Sequence, residues 1–119
     1  MPMNSRVLQL IKDAFGAFNA QDMDTVLLSM SPDIRWPQAF GSGYLYGHDA
    51  IKRYWMEQWT RITTHIVPVG FNQRGDGALE IIVRQTVKDI QGKLLFDGKV
   101  KHLYRIRDGL LDQIYIETI

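Results

Sequence analysis

The spacing of apolar residues divides the chain into two parts. Val7, Leu8, Leu10, Ile11, Ala14, Phe15 and Phe18 recur at helical spacing and form one broad stripe. Ser5 is placed to cap this helix, and Asn19-Ala20-Gln21 to end it. Asp22 is placed to cap a short second helix with Met23, Val26, Leu27 and Met30 on its apolar face, and Ser31-Pro32-Asp33 is expected to stop it. Residues 34–38 read as a short strand, with Pro37 at a sheet edge or a strand end. Residues 39–47 read as a loop. Phe40, Tyr44 and Tyr46 make it more aromatic than an exposed loop needs, so it is expected to fold over something. A third helix is predicted from 48 to about 60, with Ile51, Tyr54, Trp55, Gln58 and Trp59 sharing a face.

Beyond that point the period changes from 3.6 to 2. Strands are predicted over 62–71, with a kink at Pro68 or Gly70, and over 78–88, 94–107 and 110–117. Turn clusters separate them at 72–77, 89–92 and 108–109. Helices followed by a meander of long strands predict an α+β domain: three N-terminal helices packed on one face of a curved, mostly antiparallel sheet. No linker or internal repeat divides the chain, so residues 1–119 are expected to form one domain.

The strand from 94 to 107 carries the functional question. Phe96, Val100, His102, Tyr104 and Ile106 fall on one side, and Asp97, Lys99, Lys101 and Arg105 on the other. His102 is thus an imidazole in the middle of an apolar face. At Asp108-Gly109 a three-residue loop with a bulge sets Ile106 opposite Leu110, His102 opposite Ile114 and Val100 opposite Ile116; a two-residue turn would set Tyr115 beside His102 instead. The first keeps the inner face apolar and is preferred. At the preceding hairpin, an even-length loop puts Ile81, Val83 and Gln85 on the face of His102 and makes Gln85 a second inward polar group. A three-residue loop would turn Ile82 and Arg84 towards it instead; the first keeps the apolar faces together and is preferred.

Composition narrows the chemistry. Lys and Arg number 14 against 13 Asp and Glu, a net charge of +1, which gives no reason to expect nucleic acid or a membrane surface as partner. There is no cysteine, which removes disulfides, thiolate catalysis and cysteine zinc sites. His48, His65 and His102 are scattered with no ligand spacing, so no metal site is expected. The glycines from Gly41 to Gly47 do not match a dinucleotide fingerprint, and no serine sits in a nucleophile elbow, so no cofactor is expected. No stretch approaches the ~20 apolar residues of a membrane span, and no basic-then-apolar leader is visible, so a cytoplasmic location is the expectation.

The Ser31-Pro32-Asp33 and Trp36-Pro37 segments, Tyr46-Gly47-His48-Asp49-Ala50-Ile51 opening a helix, and Tyr104-Arg105-Ile106-Arg107-Asp108-Gly109-Leu110 together resemble the SnoaL-like branch of the nuclear transport factor 2-like superfamily, which also holds ketosteroid isomerase. The resemblance implies a cone of helices around a curved sheet, a deep pocket at its open end, and a homodimer through the sheet. It does not carry over a mechanism. The isomerase base falls at Gln38, its oxyanion tyrosine at Ala14 and its protonated aspartic acid at His102. Asp97 or Glu117 could supply a carboxylate only if a strand register differs from the one preferred above.

These readings predict a small-molecule pocket protein resembling polyketide cyclases and isomerases. His102 is the candidate general acid/base for cofactor-independent chemistry on a hydrophobic carbonyl compound. Gln38 and Gln85 are candidates to orient the ligand, and Trp36, Phe18, Trp55, Tyr46, Val100, Ile114 and Ile116 to form its walls. A non-catalytic ligand-binding module, or a dimerisation module of the same fold, is the alternative.

Overall fold

The computed structural model describes residues 5–37 and 43–118, with no account of the Thr118 side chain. Three helices, α1 (Ser5–Asn19), α2 (Met23–Leu27) and α3 (His48–Gln58), pack on a six-stranded sheet. Its strands are β1 (Met30–Pro37), β2 (Tyr44–Tyr46), β3 (Ile62–Gln73), β4 (Leu79–Asp89), β5 (Leu94–Arg107) and β6 (Leu110–Thr118). The spatial order is β2-β1-β6-β5-β4-β3, antiparallel throughout except for the β1–β6 pair. The core lies between the helices and one sheet face, where Ile11, Ile34, Ile51, Ile81 and Val83 are fully buried. No described helix is long and apolar enough to cross a membrane.

α1 and α3 form where the apolar stripes predict them. α2 is shorter than its stripe, with Met30 already in β1. β1 and β2 lie between α2 and α3, so the three helices do not all precede the sheet. Asp22 caps α2 by accepting from the Thr25 N–H at 3.3 Å and the Thr25 hydroxyl at 2.6 Å. Asn19, the last residue of α1, ties that helix to β3. Its amide Nδ2 donates to the Ile66 carbonyl and its Oδ1 accepts from the Ile66 N–H, both at 2.8 Å.

Three local expectations change. Ser31-Pro32-Asp33 does not stop α2, which ends at Leu27; the three residues are already inside β1. Met30 pairs with Leu111 and Arg35 with Gln113, and the register breaks between them. That irregular stretch accommodates Pro32, which has no N–H to give a ladder. The 39–47 loop contains a short outer strand, β2, so β1 is not an edge and Pro37 is a strand end paired with Tyr44. The third helix stops at Gln58, two residues before the predicted end.

The hairpins decide which residues face inwards. At β4–β5, Ile81 lies opposite His102, Val83 opposite Val100 and Gln85 opposite Gly98, as the even-length loop requires. At β5–β6 the preferred register is wrong. The turn has two residues, Asp108 and Gly109, both with positive φ (53° and 78°). Arg107 pairs with Leu110 and Ile106 with Leu111; the ladder then slips, and Arg105 pairs with Gln113. Asp112 is the extra residue of this bulge, and its carboxylate accepts from the Ser31 hydroxyl at 2.7 Å. Tyr104 therefore faces Ile114, and His102 faces Ile116. The bulge restores the phase the turn had shifted, so Ile114 and Ile116 point inwards as expected, each with a different partner.

Candidate functional site

The inner face of β5 presents His102 and Tyr104, 6% and 3% exposed. They are two residues apart on one strand, so their side chains leave the sheet on the same side. His102 Nδ1 lies 2.7 Å from the Tyr104 hydroxyl, and the rings meet edge to face at 5.6 Å. Phe15 of α1 covers His102 from above, with ring centroids 6.0 Å apart. Ile81 and Ile116 are its cross-strand partners. None of these neighbours is charged, and Tyr104 is the only titratable group among them.

Burial without a counter-charge has one consequence for each group. It pushes the His102 pKa down to about 4, because the imidazolium is poorly solvated there. It pushes the Tyr104 phenol up, above its already high ordinary value. Both are therefore neutral at pH 7, and the neutral imidazole carries its one proton on either nitrogen. Tyr104 has no other hydrogen-bond acceptor among the described residues, so its O–H donates to Nδ1. The ring proton then sits on Nε2, which has no partner among the described residues.

This pair lies on the wall of a cavity of about 70 Å³. The wall is formed by α1 (Ile11, Ala14, Phe15, Phe18), α3 (Trp55), β1 (Met30, Trp36) and the inner faces of β3 to β6, with Val26 closing it from α2. Aromatic rings make much of it: Phe18 meets Trp55 edge-on at 4.8 Å, and Trp36 meets Trp55 at 6.1 Å. The space is small. It is below the ~150 Å³ of an apolar cavity that admits benzene and far below the ~300–1,000 Å³ of drug-sized pockets. Ile116 is both part of the wall and 41% exposed, so it stands at the rim.

Of the residues proposed from sequence, His102, Trp36, Gln85, Phe18, Trp55, Ile114 and Ile116 come together around this cavity. Tyr46 does not. It is 66% exposed, because on the three-residue β2 it shares a side with Tyr44, while only Leu45 turns to the core. Val100 is buried in the core opposite Val83, away from the cavity wall. Gln38 lies outside the described residues, as does Phe40.

Asp97 and Glu117 are not inside. Asp97 accepts from Arg84 at 3.0 Å and Thr86 at 3.2 Å on the outer face, and these bonds hold its carboxyl below the usual range. Glu117 is exposed. His48 is a structural residue at the start of α3; its Nε2 lies 3.1 Å from the carbonyls of both Met30 and Ser31. Among the described residues, no three side chains of metal-ligand type converge.

Sequence reasoning missed Tyr104 and Thr64. Tyr104 was counted with the apolar face, although its position two residues from His102 was a visible signal. Thr64 lines the cavity at 7% exposure, and its hydroxyl has no partner among the described residues. The basic side chains of the outer face are largely neutralised, Arg84 by Asp97 and Lys101 by Glu80 at 3.0 Å each.

The family model described as SnoaL-like domain matches residues 11–114. No curated protein matches the sequence. An NTF2-like protein of unknown function from Burkholderia pseudomallei is similar in structure, with a TM-score of 0.83 at 22% identity, covering 98% of this chain and 92% of that one. TerC, co-crystallised with polyporic acid, has a TM-score of 0.82 at 21% identity, covering 96% and 92%. An LEH-like epoxide hydrolase from M. tuberculosis has a TM-score of 0.78 at 15% identity, covering 97% and 84%. At these identities the likeness is one of fold.

Proposed function

The chain belongs to the SnoaL-like domain family, and from that premise we propose that it binds a small hydrophobic carbonyl compound, with His102 as the polar group that engages the carbonyl. One observation carries the reading: a buried His102 on a cavity wall with Nδ1 bonded to the Tyr104 hydroxyl; the tautomer that satisfies that hydroxyl leaves Nε2–H to donate. The chemistry is narrower than general acid/base catalysis. A ring held near pKa 4 is a weak base at pH 7, and a neutral imidazole is a poor proton donor. It is suited to polarising a carbonyl by a hydrogen bond while charge develops on oxygen, in a site where a low dielectric strengthens that bond. Such a step needs no cofactor and fits an isomerase or cyclase. The co-crystal of TerC with polyporic acid supports ligand handling by this fold.

The ketosteroid isomerase base and oxyanion tyrosine have no counterpart here, since Gln38 has no titratable group and Ala14 offers only a methyl to the cavity wall. The outer sheet face, with Arg84, Thr86, Lys99 and Lys101, is proposed as a mixed polar homodimer surface.

The test is a fragment screen by NMR, using ketones graded in size from acetone to acetophenone, because the cavity is about 70 Å³, on the wild type and on His102→Phe. The wild type is expected to bind members of this set. The variant should keep the fold and bind them at least tenfold more weakly. Absence of binding to the wild type, in a cavity this small, would favour a dimerisation module with His102 as core. Equal binding by the variant would favour a pocket in which His102 only packs.

A further inference from the structure

Gln85 is half-buried, lines the cavity, and pairs across β4 and β5 with Gly98. Side chains on directly opposed residues stand about 5 Å apart, so a side chain at position 98 would lie against that of Gln85. Gly98 has none, and the Phe96 ring occupies the place. A methyl group on Gly98 would stand 3.1 Å from the ring Cζ and 3.6 and 3.7 Å from its two Cε atoms. Positions 96, 98, 100 and 102 share the inner face of β5, so the ring leans along the strand towards Val100 and His102. Phe96 and Gly98 stand beside the cavity wall rather than in it. Phe96 is 43% exposed, against 6% and 4% for the wall rings of Phe15 and Phe18. Those two are enclosed by the core; Phe96 has water on one side and a bare glycine on another.

Resting on the ligand-pocket reading above, we infer that Phe96 sets the largest ligand the site accepts. With its ring on Gly98, the space beside Gln85 is filled and the cavity is about 70 Å³. That is below the ~150 Å³ that admits benzene, so a phenyl ketone does not fit. A turn of χ1 to another staggered well carries the ring out to solvent and vacates a volume of phenyl size next to the wall. The ring of a larger ketone takes the place that Phe96 leaves, over the backbone of Gly98, where no Cβ obstructs it. The side chain at position 96 is thus the residue that separates small acyclic ketones from those that carry a ring.

Two probes that share a carbonyl and differ in size test this: acetone and acetophenone. Their dissociation constants are read by NMR titration at pH 7 on the wild type, Phe96→Ala and Phe96→Leu. Phe96→Leu keeps an apolar side chain on the strand without the ring, so it remains informative if Phe96→Ala folds poorly. Removing the ring should tighten acetophenone about tenfold, a change of about 1.4 kcal/mol, and leave acetone within about twofold of the wild type. If the two ketones shift by the same factor, or acetophenone binds the variants no more tightly than the wild type, the inference is overturned while the pocket reading stands. The Phe96 ring would then only cover a glycine in the sheet. If neither ketone binds the wild type or either variant, both fall.

Discussion

Acid should unfold this protein earlier than its carboxylates require, because His102 is buried as the neutral ring. Its folded pKa is about 4 against an ordinary value of 6.5. The unfolded chain therefore binds a proton at a pH where the folded chain does not. The stability associated with the neutral ring is fully present above pH 6.5, is lost as pH falls through that window, and the loss levels off below pH 4. Across the whole window it amounts to about 3 kcal/mol, and between pH 7 and pH 5 to about 2 kcal/mol. Asp22, Asp76, Glu80 and Asp97 are held below the usual carboxylate range by their hydrogen bonds. The assay is urea denaturation at pH 7 and pH 5 for the wild type and His102→Phe. At a urea slope of ~1–3 kcal/mol per molar, the wild-type midpoint should fall by about 1 M more than the variant midpoint. Comparing the two pH dependences removes the cost of the substitution itself. Parallel curves would mean that the folded chain accommodates imidazolium, and the neutral-donor argument for the site would fail with them.

Trp55→Ala should destabilise the fold by ~3–5 kcal/mol, since the ring is 5% exposed and packs on Phe18 and Trp36; a loss below ~1 kcal/mol in denaturant melts would contradict its place in the core. Tyr104→Phe removes the donor to His102 Nδ1, and 15N NMR of the imidazole should then show a mixture of tautomers where the wild type shows one. A single unchanged tautomer would refute the positioning role. Light scattering at micromolar concentration and low salt should give the mass of a dimer, weakened by added salt because the proposed surface is charged; a monomer under these conditions removes that proposal.

Element types and facing were legible in the sequence because burial imposes a period of 2 or 3.6, and that period survives in the residues themselves. Strand β5 from Leu94 to Arg107 matches its predicted bounds for this reason. Register was less legible. Leu111 and Ile114 both point into the core, at 2% exposure, yet they lie three residues apart, a spacing that a regular strand cannot place on one face. The bulge at Asp112 explains it, and the adjacent Leu110-Leu111 pair hid it by fitting either phase. His102 was legible because it interrupts an apolar face. The Tyr104 hydroxyl was not, because a tyrosine satisfies an apolar pattern while carrying a polar atom. The size of the cavity has no sequence signal, since it depends on how far α1 and α3 stand from the sheet.

The bond between Asn19 and Ile66 also bears on how the chain avoids its own kind. Strand β3 is the last of the sheet, twelve residues long, with Val67 and Val69 exposed, and such an edge is a template on which another chain can add a strand. The backbone groups of Ile66 point outwards along that edge, and the Asn19 amide imitates an incoming peptide there, taking the donor and the acceptor together. Two residues on, the same outward position belongs to Pro68, which has no N–H to offer, and the ladder slips directly after it. An arriving strand would meet an occupied site, then a missing donor, then a change of register, so the edge is closed to aggregation at its centre without a covering helix or a row of charges.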